Sequence, residues 1–395
     1  MSYPSIISLP ETFRLKTDQT INSAATLPAQ HLLNADHRLN NFDFLRFVFA
    51  SLVLFYHSFP LLLGVGNRQP YFGEGSATLA GGSSVAFFFV ISGFLVSASW
   101  IRVPSFRPYI AKRVLRIYPA FLLAMVFCAF VAGPLGTDNV LVYWHHFKIF
   151  KALIYLFLLP ADVVGPDMAL MFTHQPFPRV IDGSCWTLRC EFTMYLLVAL
   201  LGATGLYRLW QGKGVLLLFG LLYCLYAGAQ ISGHAILPSK PIPWIGNPND
   251  WLRLSTCFLS GMTYYCYRNY VPLSYKLFAV SIAVLIAAAF KPQWFSALIP
   301  IFGSYALFFI ALSPAVKLHN FARYGDFSYG MYLYAFPIQQ LLIRHFATEL
   351  NPYLLSLAAF PLSLFCAVIS WHCVEKPSLM LKPRQLNVKS SSLAK

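Results

Sequence analysis

The chain has 395 residues, of which 57% are hydrophobic and only 11% charged, and its mean hydropathy is +0.59. Soluble domains carry about a quarter charged residues, and here the apolar residues arrive in long blocks, which excludes an ordinary soluble domain and points to a polytopic helical membrane protein. The formal charge of +15 gathers in short segments between those blocks, where Lys and Arg set orientation; no basic helix with interleaved aromatics offers a partner surface to nucleic acid.

Residues 1–40 are polar, with Pro4, Pro10 and Pro28, and lack the apolar core of a cleavable signal peptide. They read as a flexible cytoplasmic tail. A transmembrane domain follows over 41–380, and 381–395 form a short cytoplasmic tail, with no appended soluble domain expected. Within the domain the apolar blocks predict an all-α bundle of about ten spans: 44–64, 82–101, 117–133, 186–206, 214–232, 252–268, 274–290, 297–313, 329–346 and 353–373. A shorter apolar run, Ile149 to Pro160, reads as a re-entrant or interfacial helix. The densest positive stretch, IRVPSFRPYIAKRVLR, follows the second span and carries Arg102, Arg107, Lys112, Arg113 and Arg116. It is expected on the cytoplasmic side. Counting spans from there places both termini in the cytoplasm and the long segment 134–185, with His145, His146, His174 and Asp182, outside. A loop of that length is expected to cover a site. The eight cysteines are scattered and form no CxxC pair, so neither a zinc site nor a disulfide framework is indicated.

Two basic residues, Arg46 and His57, interrupt the first block, NFDFLRFVFASLVLFYHSFPLLL. Arg46 and His57 are eleven residues apart, which on a helix is three turns plus roughly 20°, so they share a face roughly 16.5 Å apart along the axis. Arg46 falls near the cytoplasmic end and His57 within the hydrocarbon core. In the fourth span, DGSCWTLRCEFTMYLL, Glu191 lies roughly 7 Å below Trp186 by helical rise, at a depth comparable to His57. An ionisable group at membrane depth marks a candidate functional site. A carboxylate and an imidazole at one level could pair, which would orient the imidazole as a base.

Six motifs in order resemble those of the acyltransferase-3 family of membrane acyltransferases. They are Asp43, Arg46 and His57 in the first span; FFFVISGFL, Phe87 to Leu95; KRVLRIYPA, Lys112 to Ala120; GSCWTLRCEF, Gly183 to Phe192; GDFSYGMYLYAFPIQQ, Gly325 to Gln340; and CVEKP, Cys373 to Pro377. The resemblance covers about 40–380. The chain departs from the family pattern at SSVAFFF, where many members carry an acidic residue, at Ala335, where many carry histidine, and at Arg189, where proline is frequent.

The resemblance implies an O-acetyltransferase of the bacterial inner membrane. It would move an acetyl group from cytoplasmic acetyl-CoA, a substrate rather than a resident cofactor, to a hydroxyl of a lipid-linked or exported carbohydrate such as O-antigen or exopolysaccharide. Lys112, Arg113 and Arg116 could hold the CoA phosphates, with Arg46 guiding the pantetheine arm. A sugar hydroxyl needs a general base as it attacks a thioester, and His57 is the candidate, with Glu191 orienting it or binding acceptor hydroxyls. Asp43, Ser92, Trp186, Tyr329 and Tyr332 are the candidate substrate-binding residues; Ser92, Trp186, Tyr329 and Tyr332 could each donate to the oxyanion, and Ser92 could carry the acyl group covalently. No metal-ligand motif is present. A lipid-carrier or polysaccharide flippase is the alternative reading, and the sequence leaves oligomeric state open.

Overall fold

The computed structural model describes residues 40–64, 81–146, 171–204, 212–242, 245–346 and 349–381. The tails and the run Ile149 to Pro160 lie outside the described residues, so the expectations placed on them have no structural counterpart here. In chain order the helices are α1 (Phe42–Leu63), α2 (Ser83–Arg102), α3 (Phe106–Gly136), α4 (Val140–His146), α5 (Trp186–Ala203), α6 (Lys213–Ser232), α7 (Pro248–Tyr267), α8 (Tyr275–Ala289), α9 (Pro292–Leu312), α10 (Ser328–Phe346) and α11 (Pro352–Met380). No β-strand occurs among the described residues, only two isolated bridges. The protein is all-α.

Seven of these helices are long and apolar enough to cross a membrane: α1, α2, α3, α5, α6, α9 and α11. Three expected spans fall short of that measure for different reasons. Helix α8 has 15 residues. Helix α7 carries Asp250 and Arg253 in its first two turns, and α10 carries Gln339, Gln340 and Arg344. Those polar groups face partners inside the bundle, so α10 is among the most buried helices despite its modest hydropathy.

The largest departure from the sequence reading concerns the basic stretch after α2. It is expected as a loop, yet only Val103, Pro104 and Ser105 separate α2 from α3, which starts at Phe106. Lys112, Arg113 and Arg116 therefore sit on a helix, at spacings of three and four that put them on neighbouring positions of one side. Charge lowered the hydropathy of this segment without breaking its helix; Pro108 is tolerated because a first-turn residue has no intrahelical N–H bond to lose.

Helix α2 runs through the middle of the bundle and α7 packs along it. The contact is backbone to backbone. A Cβ added at Gly93 would lie 2.0 Å from the carbonyl oxygen of Phe258, and one added at Gly261 would lie 2.0 Å from that of Val90. Glycine at both positions is what permits this approach. Polar side chains then tie the helices where no water competes. Buried Asn41 donates to Ile310 O at 2.8 Å and Val316 O at 2.9 Å and accepts from Leu318 N at 3.0 Å, locking the start of α1 to the end of α9. Gln339 donates to Leu54 O at 2.8 Å and to Ser58 Oγ at 2.6 Å, and Ser356 donates to the same Ser58 oxygen at 2.7 Å, joining α1, α10 and α11. Helix α9 is interrupted by a π-helical turn at Ile299–Gly303, where Ser260 of α7 bonds Pro300 O and Ser304 Oγ. The outward faces are apolar: Leu217 and Leu221 on α6 and Leu357 and Phe365 on α11 are more than half exposed, as a surface solvated by acyl chains requires.

Candidate active site

Two cavities open into the bundle, one from each end. The first, of about 550 Å³, is lined by the start of α1, the length of α2, the start of α3, the first half of α5, the segment leading into α10 with its start, and the end of α11. We call it the inner cavity because the basic stretch rims it. The second, of about 450 Å³, lies between the end of α1, the start of α2, the segment before α5 and the head of α7. Both volumes suit a small-molecule site. Val85 and Tyr332 line both cavities, so these two side chains stand between them.

The inner cavity collects most of the residues singled out from the sequence: Asp43, Arg46, Ser92, Lys112, Arg113, Arg116, Glu191, Tyr329 and Tyr332. Its cations are not equivalent. Arg116 is ion-paired with Asp326 and lies 3.8 Å from Glu375, while Arg46 lies 3.4 Å from Asp326 and 3.7 Å from Asp43. Two guanidiniums thus share three carboxylates. Asp326 is the hub and also accepts from Ser328 N and Oγ at the head of α10. Burial alone would raise its pKa, but Arg116 and Arg46 outweigh that and hold it at about 2. Arg113 instead donates to Ser99 Oγ at 3.1 Å, lies over the rings of Tyr109 and Tyr195, and leaves its Nε buried with no hydrogen-bond partner. Lys112 and Arg102 line the cavity without a carboxylate partner among the described residues. Arg102, Lys112 and Arg113 are therefore the cations with capacity left for an anionic ligand, whereas Arg46 and Arg116 are already neutralised.

Deeper in, Glu191 accepts from Ser92 Oγ at 2.5 Å and from the Tyr195 hydroxyl through the same carboxylate oxygen. Tyr329 gives its hydroxyl proton to Ile117 O at 3.0 Å, and Tyr332 gives its proton to Ser184 O at 2.7 Å while lying 2.7 Å from Thr187 Oγ1. Both tyrosine donors are committed to the protein. Ser92 faces the cavity while its neighbour Gly93 supplies the packing against α7.

His57 and Trp186 line the outer cavity. The imidazole stands edge-on to Phe336, with ring centroids 5.3 Å apart, and its Nδ1 is buried without a hydrogen-bond partner. The expected pairing of His57 with Glu191 is not formed. Direction around the axis is the reason: Trp186 and Glu191 are five residues apart on α5, roughly 140° around the axis, so one lines each cavity. On α1 the roughly 20° offset puts Arg46 and His57 on one inward face, facing the inner and outer cavities respectively.

Several groups in these cavities carry no individual signal in the sequence. Asp326 and Glu375 sit inside family-like motifs, yet nothing local marks them as partners of Arg116. Tyr195 is one of 22 tyrosines. Asp250 and Arg253 look like a surface pair at a helix head, and only the fold turns them into the outer cavity.

A helical bundle of apolar exterior, with seven helices apolar and long enough to span a bilayer and two cavities lined by polar and ionisable side chains, defines an integral membrane protein. The chain belongs to the acyltransferase-3 family: residues 39–372 match the family's acyltransferase domain, and it is an acyltransferase. Among curated relatives, an O-acetyl transferase of Shigella phage Sf6 is 30% identical over 357 residues, covering 89% of this chain and 99% of that protein. Nodulation protein 10 of Rhizobium leguminosarum bv. viciae is 28% identical over 378 residues, covering 88% of this chain and 95% of that protein. No solved structure matches the chain at comparable stringency.

Proposed function

We propose that this protein is an inner-membrane O-acetyltransferase that takes acetyl-CoA from the cytoplasm into the inner cavity and transfers the acetyl group to a carbohydrate hydroxyl held in the outer cavity. The observation that carries this reading is the pair of cavities that share Val85 and Tyr332 in their linings, with a basic rim on one and an imidazole whose Nδ1 has no hydrogen-bond partner in the other. The basic rim supports a cytoplasmic inner end with both termini on that side. One relative named as an O-acetyl transferase favours an acetyl donor, and nothing comparable favours the flippase alternative.

The chemistry follows from the groups available. The CoA phosphates are held by Arg102, Lys112 and Arg113. The pantetheine arm extends past Ser92 and Glu191 towards Tyr332. Neutral His57 accepts the proton of the acceptor hydroxyl as its oxygen attacks the thioester carbonyl. A C–O bond forms, the C–S bond breaks, and the proton passes from the imidazolium to the departing thiolate. The indole N–H of Trp186, which lines the cavity beside His57, is the donor assigned to the oxyanion, since the hydroxyls of Tyr329 and Tyr332 are engaged. Direct transfer fits this layout better than a covalent acyl-Ser92, whose oxygen faces Glu191 in the other cavity. Surface glycans from cells with and without the protein test the reading by mass spectrometry: an added ~42 Da, an acetyl group in place of a hydroxyl hydrogen, is expected only with it, because function is read from the product of the site's chemistry. Identical glycans in the two would refute it.

A further inference from the structure

The outer cavity contains a polar set that the acyl-transfer chemistry does not use. Asp250 and Arg253, one turn apart at the head of α7, lie 3.1 Å apart, and Arg253 also donates to Gly82 O at 3.2 Å. The second carboxylate oxygen of Asp250, the Gln230 amide and the Tyr56 hydroxyl have no hydrogen-bond partner among the described residues, and all three residues line the cavity beside His57 and Trp186. Charged lining residues among those described number one of each sign, and they neutralise each other.

From this we infer that Gln230, Asp250 and Tyr56 are the acceptor-recognition residues and that the glycosyl unit they select is uncharged. This deepens the proposed acetyl transfer and rests on it. A carboxylate with a free oxygen accepts from ring hydroxyls; an amide both donates and accepts; an indole face covers the apolar face of a pyranose. Arg253 is the only permanent cation among the described lining residues, and Asp250 occupies it. A uronic acid, a sialic acid or a phosphorylated sugar would bring a second negative charge next to Asp250 in a site of low dielectric, with no further cation among the described lining residues to balance it. Selection against charge therefore comes from the repulsive element as much as from the hydrogen bonds. The cavity volume of about 450 Å³ accepts one or two sugar rings rather than a long chain.

The test uses the full-length protein in native membrane vesicles, with labelled acetyl-CoA and the cell's own glycan as acceptor. Methyl glycosides of neutral hexoses and 6-deoxyhexoses, and the matching methyl hexuronosides, are added as competitors. At least one neutral glycoside is expected to compete and the hexuronosides are not. Gln230→Ala, which removes no contact seen in the fold, is expected to weaken that competitor about tenfold, the value of one or two lost hydrogen bonds, without moving the KM for acetyl-CoA. Asp250→Asn is expected to narrow the gap between neutral and acidic competitors. Competition by the hexuronosides equal to that of the neutral sugars, competition by neither class, or an unchanged competitor affinity in Gln230→Ala would overturn the assignment while label still reaches the glycan. Absence of any glycan label would instead overturn the acetyl-transfer reading beneath it.

Discussion

His57 shows what burial does to a single side chain. Its Nδ1 is closed off from water and from every described partner, an arrangement a folded protein keeps only where something else compensates or where a ligand completes it. Replacing it by alanine should lower the transfer rate by roughly 10²–10⁴-fold, the usual contribution of general-base catalysis, with membrane insertion unchanged by size-exclusion and protease-resistance measurements. Two aspartates carry opposite pH signatures. Asp182 is buried just before α5, accepting from Ser184 N at 2.8 Å and Cys185 Sγ at 3.0 Å; burial pushes its pKa up to about 6 despite those bonds. A carboxyl raised in the fold contributes stability below its unfolded pKa and loses it as pH rises through 6. Asp182→Asn should therefore raise the melting temperature at pH 8 and leave it nearly unchanged at pH 4, read by thermal unfolding in detergent. Asp326, held at about 2, runs the other way: its contribution is intact above the unfolded value near 4 and disappears only as pH falls through 2. Asp326→Asn leaves Arg46 and Arg116 with less charge compensation and should cost about 3–5 kcal/mol, as when one partner of a buried ion pair is removed.

Among the helices, the reciprocal glycines of α2 and α7 set how closely these two helices approach. A methyl at Gly93 or Gly261 meets backbone carbonyl rather than a side chain that could swing away. Either substitution to alanine should push the helices apart and lower thermal stability, whereas alanine at Gly220 or Gly228, whose Cβ would meet nothing within 4 Å, should raise it slightly through helix propensity; a thermal-shift series on the four variants checks both directions. The helices themselves were largely legible, since lipid-spanning length needs only an apolar run. What length and hydropathy could not supply was direction around each axis. Glu191 turns to Ser92 and Tyr195 rather than to His57. The start of α3 was missed because Lys112, Arg113 and Arg116 look like loop residues until they are seen lining a cavity. Asp326 was missed because an aspartate two residues before a helix reads as local turn chemistry, and its role depends on Arg116, 210 residues away in sequence. Arg46 and His57 were readable because one helix holds both, so their relative azimuth follows from spacing alone.

The whole molecule divides its two ends by charge. The basic rim of the inner cavity, from Arg102 to Arg116, should face the cytoplasm, with Lys376 at the end of α11 on the same side. A fluorescent protein fused after Lys395 should then be bright and an alkaline phosphatase fusion inactive; the reverse pattern would invert the assignment of donor and acceptor sides. The proposed transfer would then bring donor and acceptor in from opposite sides, meeting near Val85 and Tyr332, which line both cavities. The most direct measurement is CoA release by membrane vesicles of defined orientation, comparing the wild-type protein with His57→Ala in the presence of glycan acceptor. The account predicts acceptor-dependent release when acetyl-CoA is supplied to the cytoplasmic face alone, and its loss in the variant; release driven equally from the other face, or undiminished without the imidazole, would contradict it.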